Sequence, residues 1–242
     1  MELKQLATLV TGGSRGLGEA LAVRLAREGA QVVITGRTQA PLDRVVGRIR
    51  SEGGVAHALL SDIGDKNAIH ALAGSAAALV GPVNLLIHNA STLGPVPMPL
   101  LLDTDCEDLE AVLQTNLVGP FRLTKILAWN MALRRQGAVL HISSDAAVNA
   151  YPGWGSYGVS KAAQDHLSAT LAAELDASGV RFLSVDPGEM DTRMHSDALP
   201  DADRATLARP DDVAARIMQM VQHLSAIKNG ARISAASWTV PA

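Results

Sequence analysis

The sequence predicts an α/β chain, a single doubly wound domain over residues 1–242 whose parallel sheet has six to seven strands in the order 3-2-1-4-5-6-7, with helices on both faces. Three observations lead there. Short apolar runs alternate with longer Ala/Leu-rich helical stretches, the pattern of right-handed strand-helix-strand units. The first apolar run ends in a glycine-rich turn that opens into a helix. No internal repeat, low-complexity tract or Pro/Gly-rich linker divides the 242 residues, and their 48% hydrophobic content is enough for one continuous core.

Composition removes several functional classes. A formal net charge of -3 argues against general affinity for nucleic acid or for an anionic membrane surface. The lone Cys106 has no partner for an internal disulfide, which suits a reducing compartment. No segment approaches the roughly 18 uninterrupted apolar residues of a membrane span, and the start MELKQLATLVTGG carries no leader pattern, so a cytoplasmic location is expected. No metal ligands are assigned.

In chain order, LATLV reads as the first strand and TGGSRGLGEALAVRLAREGA as the turn and helix after it. Glycines at 12, 16 and 18 leave the turn without side chains, so its backbone and the helix N-terminus can approach a pyrophosphate. The spacing is G-x-x-x-G-x-G rather than G-x-G-x-x-G, and a lone glycine-rich turn is also compatible with plain structure. The second strand, QVVIT, runs into Gly36 and Arg37, where an NAD site usually carries an acid for the ribose 2′-hydroxyl. Arg37 and Arg15 instead suit a 2′-phosphate, which predicts NADP(H) over NAD(H), although either alone reads equally as a surface arginine. A helix through Ile49 and the strand VAHALL follow. Next comes Asp62, an adenine acceptor or, on sequence alone, a cap for the helix Ile69 to Leu79.

VNLLIH is the fourth strand, ending in His88-Asn89-Ala90-Ser91, with Asn89 where open α/β sheets bind ligands. Prolines between Leu93 and Pro99 make an irregular loop beside that end. A long helical stretch from about Asp108 to Arg134 contains Asn116 just before Gly119-Pro120. A local break there frees a backbone carbonyl and turns the Asn116 amide inward; a surface Asn is the alternative. AVLHIS is the fifth strand and leads to Ser144. The next helix, capped by Ser156, carries Tyr157 and Lys161 four residues apart on one face. VRFLSV and a helix from near Pro210 complete the order.

A tyrosine hydroxyl titrates near 10, and a fixed ammonium beside it favours the phenolate. Such a phenol can pass a proton to or from a carbonyl or alcohol oxygen, and Ser144 faces the same space. Taken alone, a Tyr-x-x-x-Lys pair is also an ordinary solvated helix pair.

Together the pieces TGGSRGLG, SDI, HNAS, TNLVG, ISS, YGVSK and DPGEMDT stand in an order and spacing that resembles the short-chain dehydrogenase/reductase family, from about Leu6 to Arg193. The resemblance implies a Rossmann-type domain and a tetrad of Asn116, Ser144, Tyr157 and Lys161. Tyr157 would move the proton and Ser144 would orient the substrate oxygen. Lys161 would hold the nicotinamide ribose and lower the Tyr157 pKa, and Asn116 would position a relay water. The resemblance also assigns Gly12, Ser14, Arg15, Gly16 and Leu17 to the phosphate and ribose end of NADP(H), with Arg37 at the 2′-phosphate. It puts Asp62 and Ile63 at the adenine, Asn89 and Ala90 along the ribose, and Pro187, Gly188 and Thr192 by the nicotinamide.

The implied activity is interconversion of a small-molecule carbonyl and alcohol by a homodimer or homotetramer. A dinucleotide-binding sensor or scaffold without turnover is the competing class, which the complete tetrad disfavours.

Three departures stand out. Ser91 replaces the usual glycine after Asn89-Ala90, and His88, in place of an Asn, reads as a packed strand-end residue. The lid at about 190–209 is short, with Met190, Met194 and His195 as expected pocket lining. The ending ARISAASWTVPA lacks the family's acidic-Gly-Gly close.

Overall fold

A computed structural model describes residues 1–240; the final two residues of the ending 231–242 lie outside the described residues. Its seven strands are β1 (Ala7–Thr11), β2 (Gln31–Gly36), β3 (Val55–Leu60), β4 (Leu85–His88), β5 (Gly137–Ile142), β6 (Val180–Asp186) and β7 (Arg232–Ser234). They form one sheet in the order β3-β2-β1-β4-β5-β6-β7, every pair parallel, as the sequence predicts.

Period-2 alternation divides the core into two layers. Leu85 and Ile87 of β4, with Val32 and Ile34 of β2, face helices α1 (Gly16–Arg27) and α2 (Gln39–Ser51). Leu86, Val33, Val139 and Phe182 face the opposite way, onto α3 (Ile69–Val80) and the later helix that bears Leu123, Leu127 and Met131. Burying each such aliphatic side chain stabilises the fold by about 1.5–3 kcal/mol. Apolar residues on both faces of the central strands are what a sheet covered on both sides requires.

The long helical stretch is broken where Asn116 suggested. It comprises α4 (Cys106–Leu113), a π-helical turn (Gln114–Val118) and α5 (Gly119–Leu133). Pro120 has no N–H to give to the Asn116 carbonyl four residues back, and the Gly119 N–H reaches the carbonyl of Gln114 instead. Gly119 also sits hard against the Ile63 carbonyl, where a Cβ would collide.

The next helix, α6 (Gly155–Glu174), starts two residues earlier than predicted, so Ser156 lies inside its first turn rather than capping it. The tight turn of Tyr151 to Trp154 delivers the chain already helical, and Gly158 N–H bonds the Trp154 carbonyl at 2.7 Å. Two further helices, α7 (Arg193–Ala198) and α8 (Pro210–Gln222), complete the described elements, α8 packing beside α1. No helix among the described residues is long and apolar enough to cross a membrane.

Candidate active site

Sheet order reverses between β1 and β4, and the crevice at their carboxyl ends is where the predicted residues gather. The turn from β1 to α1 supplies Gly12, Ser14, Arg15, Gly16 and Leu17, and Arg37 follows β2. Asp62 and Ile63 follow β3, Asn89 and Ala90 follow β4, Ser144 follows β5, and Pro187, Gly188 and Thr192 follow β6. Asn116 enters from the π turn, Tyr157 and Lys161 from α6.

The glycines of the turn are required by its close packing against the end of β4. Gly12 has a φ of 67°, and a Cβ there would stand 2.8 Å from Ala90 Cα. At Gly18 a Cβ would stand 2.2 Å from the Gly12 carbonyl oxygen and 2.5 Å from Asn89 Nδ2. Asn89 is the staple of this region: Nδ2 donates to the carbonyls of Thr11 at 3.1 Å and Gly12 at 3.0 Å. Thr192 lies over the turn from the other side, its methyl 3.4 Å from where a Gly16 Cβ would be. Gly18→Ala is therefore expected to cost about 1–3 kcal/mol and to lower Tm by several degrees. Unchanged thermal melting would mean that the turn yields freely.

Asp62 does not cap α3. Its Oδ1 accepts the Gly64 N–H at 2.8 Å in a local turn, and α3 begins only at Ile69, because residues 65–68 form a separate turn first.

Tyr157 is buried, with Leu93 and Ala146 against it and Met98, Trp154, Met194 and Ala198 partly buried around them. The Trp154 ring meets it edge-on at 5.8 Å. Burial pushes the phenol up to about 12, the hydroxyls of Ser144 and Ser91 pull it down, and the charges of Asp145 and Asp186 raise it. Burial also pushes Lys161 down to about 8, with Asp165 opposing. The expected depression of the phenol by its lysine is outweighed here. Lys161 Nζ lies 5.6 Å from the Tyr157 ring centre and is turned to the Ile142 carbonyl at 2.6 Å, while the phenol sits in a dry apolar cluster.

Of the expected pocket lining, Met194 joins this cluster. Met190 packs on the α1 layer instead, because its strand-like pairing with Ala208 turns it that way. His195 is partly buried, its Nε2 3.8 Å from Glu189.

Asn116 is fully buried and clamps the loop after β4 in both directions. Its Oδ1 accepts the Thr92 N–H at 2.8 Å, and its Nδ2 donates to the Thr92 carbonyl at 2.9 Å and to Ser160 Oγ at 2.9 Å. Ser160 passes the bond on to the Tyr157 carbonyl at 2.7 Å.

Sequence reasoning missed a group that holds Ser144. Arg232 on β7 donates to the Ser144 carbonyl at 2.7 Å, to Asp165 at 3.0 Å and to Asp186 at 3.1 Å. No local pattern announces it, since 88 residues separate Arg232 from Ser144. It also missed Arg44, which bonds the Ser14 carbonyl at 3.1 Å while paired to Glu19.

The short chain dehydrogenase family profile matches residues 6–203. This chain belongs to that family. Among family relatives, a short chain dehydrogenase of Pseudocercospora fijiensis is 34% identical over 198 residues, covering 80% of this chain and 62% of that one. A 3-oxoacyl-[acyl-carrier-protein] reductase of Synechocystis sp. is 33% identical over 215 residues, 86% of each chain. This chain thus spans less than two thirds of the length of the first relative. The crystal structure of a short chain dehydrogenase from Salmonella enterica superposes with a TM-score of 0.86 at 27% identity, covering 97% of both chains. Members of this family are oxidoreductases that bind a nicotinamide dinucleotide.

Proposed function

We propose that this protein interconverts a carbonyl and an alcohol with NADP(H) in preference to NAD(H), with Tyr157 as acid and base. The observation that carries the reading is that the buried Tyr157 packs against Ala146, two residues after Ser144, with the buried Lys161 ammonium 5.6 Å from its ring centre. Bound NADP(H) supplies or accepts the hydride at this point. In reduction Tyr157 gives its proton to the substrate oxygen while Ser144 donates a hydrogen bond to the same oxygen. Alcohol oxidation runs the proton the other way. Lys161 keeps a positive charge beneath the phenol, and Asn116 fixes both the β4 loop and the Tyr157 helix. The apolar surround of Leu93, Met98, Trp154 and Met194 excludes water and suits an apolar aldehyde or ketone, with residues 190–209 as its lid. The test is NADPH consumption by the purified protein against a panel of apolar carbonyls. Binding of NADPH without oxidation by any of them would remove the enzyme reading.

The NADP(H) preference rests on Arg15 and Arg37, both exposed at the mouth of the site, with Gly36 where an acid would repel the 2′-phosphate. A charge-assisted bond is worth about 1.5–3 kcal/mol, so removing either arginine is expected to weaken NADPH binding about 10- to 100-fold. NADH binding is expected to change by no more than about threefold. Direct titration of both nucleotides checks it, and equal losses for the two would overturn the assignment. Exposed Phe121, Trp129 and Leu133 on α5 and Val159 on α6 support a homodimer or homotetramer.

A further inference from the structure

Gln164 stands three residues after Lys161 on α6 and is 1% exposed. Both ends of its amide are engaged. Nε2 donates to the main-chain carbonyl of Asn116 at 3.0 Å, and Oε1 accepts from Lys161 Nζ at 3.3 Å. The first partner exists because Pro120 cannot pair with that carbonyl, so the π turn leaves an acceptor facing the interior. The second partner is a fully buried ammonium, which has three protons to place and, among the described residues, only Ile142 O and Gln164 Oε1 as acceptors. An apolar side chain at 164 would leave a buried carbonyl and a buried N–H unpaired.

We propose that Gln164 is a positioning residue for Lys161: its amide bridges the ammonium to the Asn116 carbonyl, where the family resemblance would have Asn116 hold a relay water. The Asn116 side chain is bonded to Thr92 and Ser160, and its carbonyl accepts from Gln164. The proposal rests on the proposed role of Tyr157 and Lys161. The other ionisable groups around the ammonium are Tyr157 and Asp165 on its own helix and the neutral pair His88 and His141 from β4 and β5.

The test is carried out on the full chain without nucleotide, with 13C-labelled lysine, so it does not depend on turnover. The Cε resonance of Lys161, assigned by its loss in Lys161→Met, is expected to titrate near 8. Gln164→Met keeps the shape and removes both polar atoms; it is expected to lower that midpoint by about one pH unit, a tenfold loss of proton affinity. Gln164→Glu is expected to raise it by at least as much, and Gln164→Asn to fall between wild type and Met. In assays the pH profile of kcat is expected to move in the same direction for each variant. If Lys161 titrates alike in wild type, Gln164→Met and Gln164→Glu, the proposal is overturned; Gln164→Glu alone decides it should Gln164→Met fail to fold. A midpoint that shifts in a protein without turnover would leave Gln164 in its place and remove the enzymatic reading instead.

Discussion

Tyr157→Phe is expected to lower kcat/KM for carbonyl reduction by about 10²–10⁴-fold, the usual contribution of a positioned acid or base. Nucleotide affinity is expected to stay within about threefold. The separation follows from where the side chain lies. Its ring is buried against Leu93 and Ala146 and meets Trp154 edge-on, contacts that phenylalanine keeps. Only the hydroxyl near Ser144 and Ser91 is lost. Initial rates together with NADPH titration make the comparison. Equal activity in the variant would place the proton donor elsewhere. The same geometry gives the direction of the pH dependence. A phenol pushed up to about 12 by burial is protonated at neutral pH, so reduction is supported there, whereas oxidation, which needs the phenolate, is expected to climb as pH rises.

What the sequence disclosed, and what it concealed, follows the range of the interactions involved. Strands such as Leu85–His88 are short and, up to the terminal histidine, apolar, a local signal that carries through to the parallel sheet. The break at Asn116 was equally local, because Pro120 acts on a carbonyl four residues behind it. Helix α6 reverses the usual pattern. Its buried stripe is Tyr157, Ser160, Lys161, Gln164 and Ser168, so hydrophobic periodicity assigns its polar residues to solvent. A polar stripe at helical spacing is the cue that the sequence offers to Gln164. Ser91 was noted only as a missing glycine, although its hydroxyl is buried without a hydrogen-bond partner among the described residues and favours the Tyr157 phenolate. Arg232 had no cue at all, since its link to Ser144 exists only once β7 joins the sheet beside β6.

Acid is expected to destabilise this protein from about pH 6.5 downward, before its carboxylates titrate, because two imidazoles lie in its core. His88 and His141 face each other across β4 and β5, with ring centres 4.9 Å apart and planes 18° apart. Both are buried. His88 Nε2 pairs with Thr124 Oγ1 at 2.7 Å, while His88 Nδ1 and both nitrogens of His141 have no partner among the described residues. Burial, followed by the charge of Lys161, pushes His141 down to about 3; burial, then His141 and Lys161, holds His88 well below the usual range. In the unfolded chain both titrate near 6.5. Below that pH the unfolded state binds protons that the folded state refuses, so stability is full above about 7 and falls with pH from 6.5 towards 3. The slope approaches about 1.4 kcal/mol per pH unit for each histidine, hence about 2.7 for the pair between pH 6 and 5. Two pH units of that loss, about 5 kcal/mol, rival the whole stability of an ordinary domain. Lys161 adds no slope in this window, being charged in both states below about 8. Urea midpoints at pH 7, 6 and 5 measure the effect, and His141→Phe, which keeps a flat ring against His88, is expected to halve the slope. A wild-type midpoint that is the same at pH 5 and pH 7 would mean that the pair is solvated or already protonated in the fold.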